Sequence, residues 1–470
     1  MVSPWYENVP SCLPGEVVVA LSLPPSVARS PLGTTLRWSA THGLMRAAIR
    51  RQVRAGNPDA RLLLDPVLQA DPFPHYERLR GRHPFAMGAF ARLTVHHDIA
   101  TAVLRSDDFG VTHPTQVVPA PARAALALAG PTRHPGPIDP PSMLAVDAPD
   151  HPRYRKLVTR AFTARRVAAL RERTTEIARE LLDDMERDVR AGETVDLVAR
   201  YASLLPVTVI SEMLGVPTSM REQFLAWGDG AATSLDMGLT RQAHASMERN
   251  LAALHDWMRD HLRRLRREPG DDLLSGLVGE VDEEGAGLTE QELVSTALLV
   301  LAAGFETTVN LIGNGTSQLF AHPEQRERLV AEPDLWPNAV DEVLRFDPPV
   351  ERTARRAKVD TEVAGEAIPA GDLVVTVLAG ANRDPQVFAD PAAFDVARVN
   401  AKEHLAFSSG PHFCLGAQLA RMEGEVALRA LFERHPHLAP AGAPRRRPTR
   451  ILRGYAELPV RLTPAVSAAR

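Results

Sequence analysis

The sequence predicts a mainly α fold (α+β), with a smaller β region. Three observations predict it. Helical patterns dominate from about 150 to 345. Short strand-like runs follow them, such as DLVVTVL (372–378) and YAELPVRL (455–462). The order, helices first, then strands, then a final helix and hairpin, is not the strand–helix alternation that builds a parallel sheet.

Of the 470 residues, 44% are hydrophobic and 24% charged, a globular composition with enough apolar material for a sizeable core. The net charge of -4 and an aromatic content of 5% speak against a nucleic-acid partner. Two cysteines, Cys12 and Cys414, make no disulfide framework and fit a reducing, cytoplasmic compartment. No apolar run reads as a bilayer span of roughly 20 residues. The run VVVALSL (17–23) is short and lacks a basic stretch before it, so it is not read as a signal peptide.

Taken in order, residues 1–61 read as an N-terminal extension, partly helical and basic. Turn formers fill PSCLPGE and SLPPSVARSPLG. LMRAAIRRQVR (44–54) then places Leu44, Ala48 and Ile49 on one helix face, ringed by Arg46, Arg50, Arg51 and Arg54. Such a helix can bind a membrane surface or a partner, but the expectation here is packing on the main domain. Residues 62–470 read as one long domain. DPFPHYERLR (71–80) is a Pro-started helix and ARLTVH (91–96) a strand. The Pro- and Ala-rich stretch 111–147 is a long connection of the kind that forms lids and binding loops.

Cys414 sits just before a strongly helical stretch in HLAFSSGPHFCLGAQLARMEGEVALRALFERH (404–435). The positive end of a helix dipole, worth about half a charge, favours thiolate over thiol. Gly410 and Gly416 can take φ > 0 or let a flat group approach closely. A glycine-rich turn can also aim backbone N–H groups at the sulfur. A lone cysteine beside one glycine is more often an inert core residue than a ligand.

TEQELVSTALLVLAAGFETTVNLIGNG (289–315) reads as a buried helix, capped by Thr289 with Glu292 and apolar all round from Leu293 to Ala303. Gly304 inside it costs roughly 1 kcal/mol against Ala. Ala303 and Gly304 share a face with Thr307, making a groove beside a hydroxyl. Glu306 adjoins this groove as a costly acid in an apolar setting. That combination suits binding a small polar ligand and relaying protons to it, and a packing glycine beside a solvated glutamate is the plainer reading. Glu342 and Arg345 stand at i,i+3 in EVLR, and His151 and Arg155 at i,i+4 in DAPDHPRYRKLVTRAF (147–162). Arg355 lies in RTARRAKVD (352–360), before a strand. Each of these alone reads as surface charge.

Together these segments resemble the cytochrome P450 family. FSSGPHFCLG is similar to its heme-binding loop: phenylalanine, two residues, glycine, three residues, cysteine, one residue, glycine. Phe407, Gly410, Cys414 and Gly416 match. Ser408 stands where the family usually has glycine, and His412 where arginine is commoner. AGFETT resembles the family's oxygen-activating motif, with Phe305 at a variable position. EVLR, DPAAFDVAR (390–398), ANRDP (381–385) and LRGYAELPVRL (452–462) also match, and the likeness covers roughly residues 62–465.

The resemblance implies a helical triangular prism with a smaller β region, and residues 62–470 as its catalytic domain. Heme b would lie between the central helix and the Cys414 loop, with Cys414 the iron ligand. His151, Arg155, Arg355 and His412 would hold the propionates. Phe407, Gly410 and Gly416 would shape the loop, and Ala303 and Gly304 the opposite side. Thr307 would hydrogen-bond the activated oxygen, and Glu306 would help deliver protons. Glu342, Arg345 and Arg398 would form a structural network. The implied enzyme is a monomeric monooxygenase without a transmembrane anchor, inserting one atom of O2 into a lipophilic small molecule by hydroxylation or epoxidation. Electrons would come from a ferredoxin and its NAD(P)H-dependent reductase, docked near Arg153, Lys156 and Arg160. Substrate would meet the 111–147 connection, Leu299, Ala302, Ala303, Phe305, Val350, Glu351, Thr353 and Tyr455. A peroxygenase or oxidative coupling enzyme, or a non-catalytic recruitment or sensor protein, are the alternatives. Intact Glu306, Thr307 and Cys414 favour the O2-dependent enzyme.

Overall fold

The longest helix, Glu290–Ala321, organises the molecule. The computed structural model describes residues 31–113, 120–129, 132, 134–161, 164–188, 193–282 and 285–462. Residues 1–30, with Cys12 and the 17–23 run, and parts of the 111–147 connection lie outside the described residues.

The expected capping box starts the long helix. Glu292 N–H donates to Thr289 Oγ1 at 3.3 Å, and Thr289 N–H to Glu292 Oε2 at 2.7 Å. The helix runs past the expected 315 to Ala321, where His322 precedes Pro323 and leaves the α region. Leu293 to Ala302 is buried on every side. By length and composition this helix could cross a membrane, but most of its apolar stretch is buried inside the protein. Helices Leu204–Met213, Arg221–Thr233, Arg241–Arg267 and Ala417–Arg434 pack around it. The largest hydrophobic cluster of the described residues lies among them. The fold is mainly α.

The β region is small. Its five-stranded sheet runs Ala86–Met87, Arg92–Thr94, Leu373–Thr376, Thr353–Ala357, Phe109–Gly110. Only the Arg92–Thr94 and Leu373–Thr376 pair is parallel, so the sheet ties early chain to late chain. The run 455–462, expected as one strand, is two. Tyr455–Glu457 pairs with Arg445–Arg446, and Pro459–Arg461 pairs with Thr194–Asp196 and Ala439–Pro440. Between them, Leu458 N–H donates to the Asp196 carboxylate at 2.9 Å instead of continuing the first ladder.

At the described start of the chain, Pro31–Trp38, a π turn Ser39–Gly43 and Leu44–Arg54 form a helical run. Ile49 is buried and Arg46 Nη1 donates to Gly238 O at 2.9 Å, so the basic helix packs on the main body. Arg50, Arg51 and Arg54 face outward.

Candidate active site

Cys414 lies in the loop before helix Ala417–Arg434, with Gly416 as N-cap. The loop turns at Gly410, φ +70°, where a Cβ would collide with the carbonyl oxygen of Leu104. Gly416 does not take the expected positive φ; it sits at -86°. Its use is space, since a Cβ there would meet nothing. Cys414 N–H donates to Phe407 O at 2.9 Å, and the Phe407 ring is held under the Arg421 guanidinium at 4.7 Å. Burial pushes the Cys414 thiol up, against the lowering effects of Gly416 N–H, Arg155 and Arg421. The dipole argument expected the opposite direction; desolvation outweighs it here.

The thiol nevertheless has open surface. Ala303 is exposed in the middle of a helix whose neighbours are buried, and Thr307 is part-exposed beside it. Helices Glu290–Ala321 and Ala417–Arg434 meet further along, at Thr308 with Glu423 and at Leu311 with Gly424. Ahead of that contact, we read the open surface of Ala303 and Thr307 on one helix, and of Cys414 beside Gly416 before the other, as the two walls of one hollow. Thr307 Oγ1 donates to Ala303 O at 2.7 Å.

Four basic residues gather at one edge. The His151 and His412 rings are 4.0 Å apart, and His412 Nε2 is 3.7 Å from Asp147 Oδ1. Burial, then His412 and Arg155, hold His151 down to about 4. Arg355 is buried, and burial brings its guanidinium down to about 10. Its hydrogen bonds go to Thr353 Oγ1 and Ala354 O, and it makes no ion pair among the described residues. Arg355 sits inside strand Thr353–Ala357 and not before it, because its segment pairs with Leu373–Thr376.

Glu306 does not open on the hollow. Ala303 and Thr307, four apart, carry the open surface, while Glu306, three from Ala303, is turned into the protein. Glu306 is buried, with Oε1 3.3 Å from Arg447 Nε and Oε2 without a partner. Burial pushes its carboxyl up to about 7 against the pull of Arg447. Arg447 Nη1 in turn donates to Asp229 Oδ1 at 2.9 Å, near the surface. Arg447 and Asp229 were not singled out from the sequence; the run Arg445–Arg446–Arg447 was the only signal.

The family model of cytochrome P450 matches residues 132–456. The chain belongs to the cytochrome P450 family. It is similar to the putative cytochrome P450 140 of Mycobacterium tuberculosis, 47% identical over 435 residues, 92% of this chain and 98% of that protein. The cytochrome P450 monooxygenase PikC of Streptomyces venezuelae is 42% identical over 404 residues, 83% of this chain and 91% of PikC. The solved structure of ligand-free Mycobacterium smegmatis CYP164A2 has a TM-score of 0.75 and 35% identity, covering 85% of this chain and 98% of that one.

Cytochrome P450 monooxygenases carry heme, iron protoporphyrin IX, and this site fits it. A flat dianionic group with a metal centre needs a soft ligand, a slot and cations for two carboxylates. Cys414 has open surface, Gly416 leaves room beside it, and buried Arg355 has no ion-pair partner among the described residues, Asp147 acting on it only at longer range.

Several expected substrate contacts face elsewhere. Phe305 packs where Gly228 has no Cβ, and Ala302 packs on Leu239, Ala231, Met247 and Leu251. Leu299 lies in the main core. Glu351 is buried among Arg352, Arg453 and Asp347. The Tyr455 hydroxyl pairs with Ser317 Oγ at 2.8 Å. Ala303 remains, with Thr353 on the same strand face as Arg355. Two of the three residues expected to dock a ferredoxin are engaged internally: Arg153 with Asp282 and Glu292, and Arg160 with Glu280.

Proposed function

We propose that this P450 inserts one oxygen atom from O2 into a C–H or C=C bond of a lipophilic small molecule, with electrons supplied by a separate ferredoxin and its reductase. The observation that carries the reading is the open surface of Cys414 and of the Ala303–Thr307 face, together with the buried Arg355 guanidinium, which makes no ion pair among the described residues.

Cys414 would hold the iron as thiolate, with Gly416 N–H moderating the sulfur's donor strength. When bound, a thiolate-ligated heme supplies oxygen activation and O–O cleavage. Arg355, Arg155, His151 and His412 would bind the propionates, the guanidiniums through paired N–H donors. Ala303 would keep the helix wall thin beside the ring, whereas the Cβ position of Gly304 is taken up against Ile210 of helix Leu204–Met213. Thr307 Oγ1, now donating to Ala303 O, has lone pairs left to receive a proton and can turn its own toward the hollow. Glu306, with a carboxyl near 7, can both take and release a proton at working pH. Arg447 and Asp229 link it to solvent. The proton path would run from that surface through Glu306 to Thr307.

The deciding experiment is the absorption spectrum of the reduced, CO-bound protein beside a Cys414→Ala variant. A strongly red-shifted Soret band, lost in the variant, is expected. A band of the histidine-ligated kind, or no heme, removes Cys414 as ligand and the reading with it.

A further inference from the structure

The N-terminal helical run does more than pack. Gly238 and Leu239 lie in the turn between helices Arg221–Thr233 and Arg241–Arg267. All four backbone polar groups of these two residues are taken by side chains from residues 38–46. His42 Nδ1 accepts from Gly238 N–H at 3.2 Å and from Leu239 N–H at 3.3 Å. Gly238 O accepts from Arg46 Nη1 at 2.9 Å, and Leu239 O from Trp38 Nε1 at 2.9 Å. Gly238 has φ +73°, so the two successive N–H groups converge into a small nest. Such a nest ordinarily takes an anion; here an imidazole nitrogen fills it.

What the clamp holds matters for the hollow. Leu239 belongs to one hydrophobic cluster with Ala231, Met247, Leu251 and Ala302 of the central helix. Ala302 is the residue before Ala303, which faces the hollow. The two helices joined by the turn both lie over the central helix. The same N-terminal run also reaches the long connection: Ala40 packs on Ala122, with Ala125 and Leu126 of helix Ala120–Ala129. That connection comes back to the turn, since Gly136 abuts Ser234 and Pro135 O pairs with His255 Nε2 at 2.8 Å. It then ends at Asp147 and His151, in the basic cluster. One strap thus ties together the turn before helix Arg241–Arg267 and the long connection.

We propose that His42 and Trp38 are positioning residues: by pinning Gly238 and Leu239 they set the place of Leu239 on the central helix, and so the width of the passage by which a lipophilic molecule reaches the hollow. This rests on the reading of the hollow as the heme and substrate site. The His42 imidazole is kept neutral by burial, His244 and Arg450, which leaves Nδ1 free to accept.

The test uses full-length holoprotein with three variants. Trp38→Phe removes one N–H and keeps a ring. His42→Leu removes the acceptor. His42→Asn returns an acceptor at the Nδ1 place. Amide hydrogen exchange is read at Gly238 and Leu239, and stopped-flow binding is read for CO and for clotrimazole, a bulky imidazole that ligates heme iron. In His42→Leu the two amides should exchange roughly tenfold faster, with wild-type exchange regained in His42→Asn. Clotrimazole association and dissociation should both quicken, by roughly three- to tenfold, in His42→Leu and Trp38→Phe. CO, small enough to pass either way, should bind as in wild type. Unchanged clotrimazole rates in variants whose turn exchanges faster would overturn the gating role. Equal quickening of CO and clotrimazole would reduce it to general loosening, and unchanged amide exchange would remove the clamp itself. If the protein bound no heme, the clotrimazole arm would fail together with the site reading, while the exchange arm still decides whether the clamp exists.

Discussion

Glu306 and Arg447 form a buried acid–guanidinium contact, Oε1 to Nε 3.3 Å, one residue before the hydroxyl that faces the hollow. Arg447 opposes the burial that lifts the carboxyl to about 7. Removing the arginine charge therefore raises the carboxyl further. For O2 consumption with saturating reduced ferredoxin, the apparent pKa of the rate should sit near 7. It should move up in Arg447→Met and disappear in Glu306→Gln. The Glu306→Gln rate should fall by on the order of a hundredfold, the usual reach of a lost proton-transfer group. A pH profile identical in all three proteins would exclude Glu306 from the proton path.

Arg355 carries a buried charge with no ion pair among the described residues and only the more distant Asp147 to offset it, so it opposes stability until a closer anion arrives. Arg355→Leu should stabilise the heme-free protein, by on the order of 1–3 kcal/mol. The same change should speed heme loss roughly tenfold if Arg355 makes the charge-assisted propionate contact proposed for it. Urea midpoints of heme-free protein and heme transfer to apomyoglobin read the two effects separately. Destabilisation of the heme-free form would mean Arg355 is structural.

Ser408, at φ +63°, occupies the left-handed region that glycine tolerates and serine does not. Its hydroxyl is buried without a partner. Both defects go with the side chain, so Ser408→Gly should raise stability by about 1 kcal/mol or slightly more. Thermal melting of the heme-bound variant reads it, and an unchanged or lower melting temperature counts against the strain.

Glu342 accepts from Arg345 Nε and Nη2, both at 2.7 Å, and from Arg398 Nε at 3.2 Å. Glu342 and Arg345 are wholly buried. Glu342→Ala leaves two guanidiniums without their anion, and should cost about 3–5 kcal/mol. The denaturant midpoint of any folded fraction measures this; a loss under 1 kcal/mol would show that the carbonyls around Arg345 suffice.

The sequence reveals those features that depend on local spacing. The Cys414 loop, the Thr289–Glu292 cap and the Ala303–Thr307 face all follow from offsets of a few residues, where helix and turn geometry is fixed. Glu342 and Arg345 were legible as a pair for the same reason. What failed depended on distant chain. Glu306 was legible as a costly acid beside the groove, but its partner Arg447 was not, because the C-terminal hairpin brings it in. Phe305 and Tyr455 looked like pocket residues until Gly228 and Ser317 were found to receive them. Of the two uses the sequence left open for Gly416, the structure shows the open space beside it and no left-handed turn. The clamp on Gly238 and Leu239 joins residues about 200 apart, and no pattern within either segment announces it.

Buried histidines set the acid limit of stability. His42, His244 and His255 are each held down to about 4, chiefly by burial. Unfolded, each takes its proton near pH 6.5. Between these values the unfolded chain binds more protons, so this contribution is fully present above pH 6.5 and is lost as pH falls toward 4. Glu306, near 7, and Glu248, Asp236, Glu351 and Glu423, all raised by burial, act in the opposite sense. His151, also near 4, and His96, His261, His404 and His435, all lowered by burial, add to the three histidines, so stability should fall between pH 6.5 and 5. His255 allows a clean test, because its Nδ1 has no partner and its Nε2 meets only Pro135 O. His255→Phe should lose about 1 kcal/mol at pH 7 with that hydrogen bond. It should also remove up to about 1.4 kcal/mol per pH unit from the acid slope, the share of one proton. The two effects have opposite sign, so the urea midpoints of variant and wild type should converge or cross between pH 7 and 5. Parallel curves would mean that His255 takes up its proton in the folded protein as readily as in the unfolded chain.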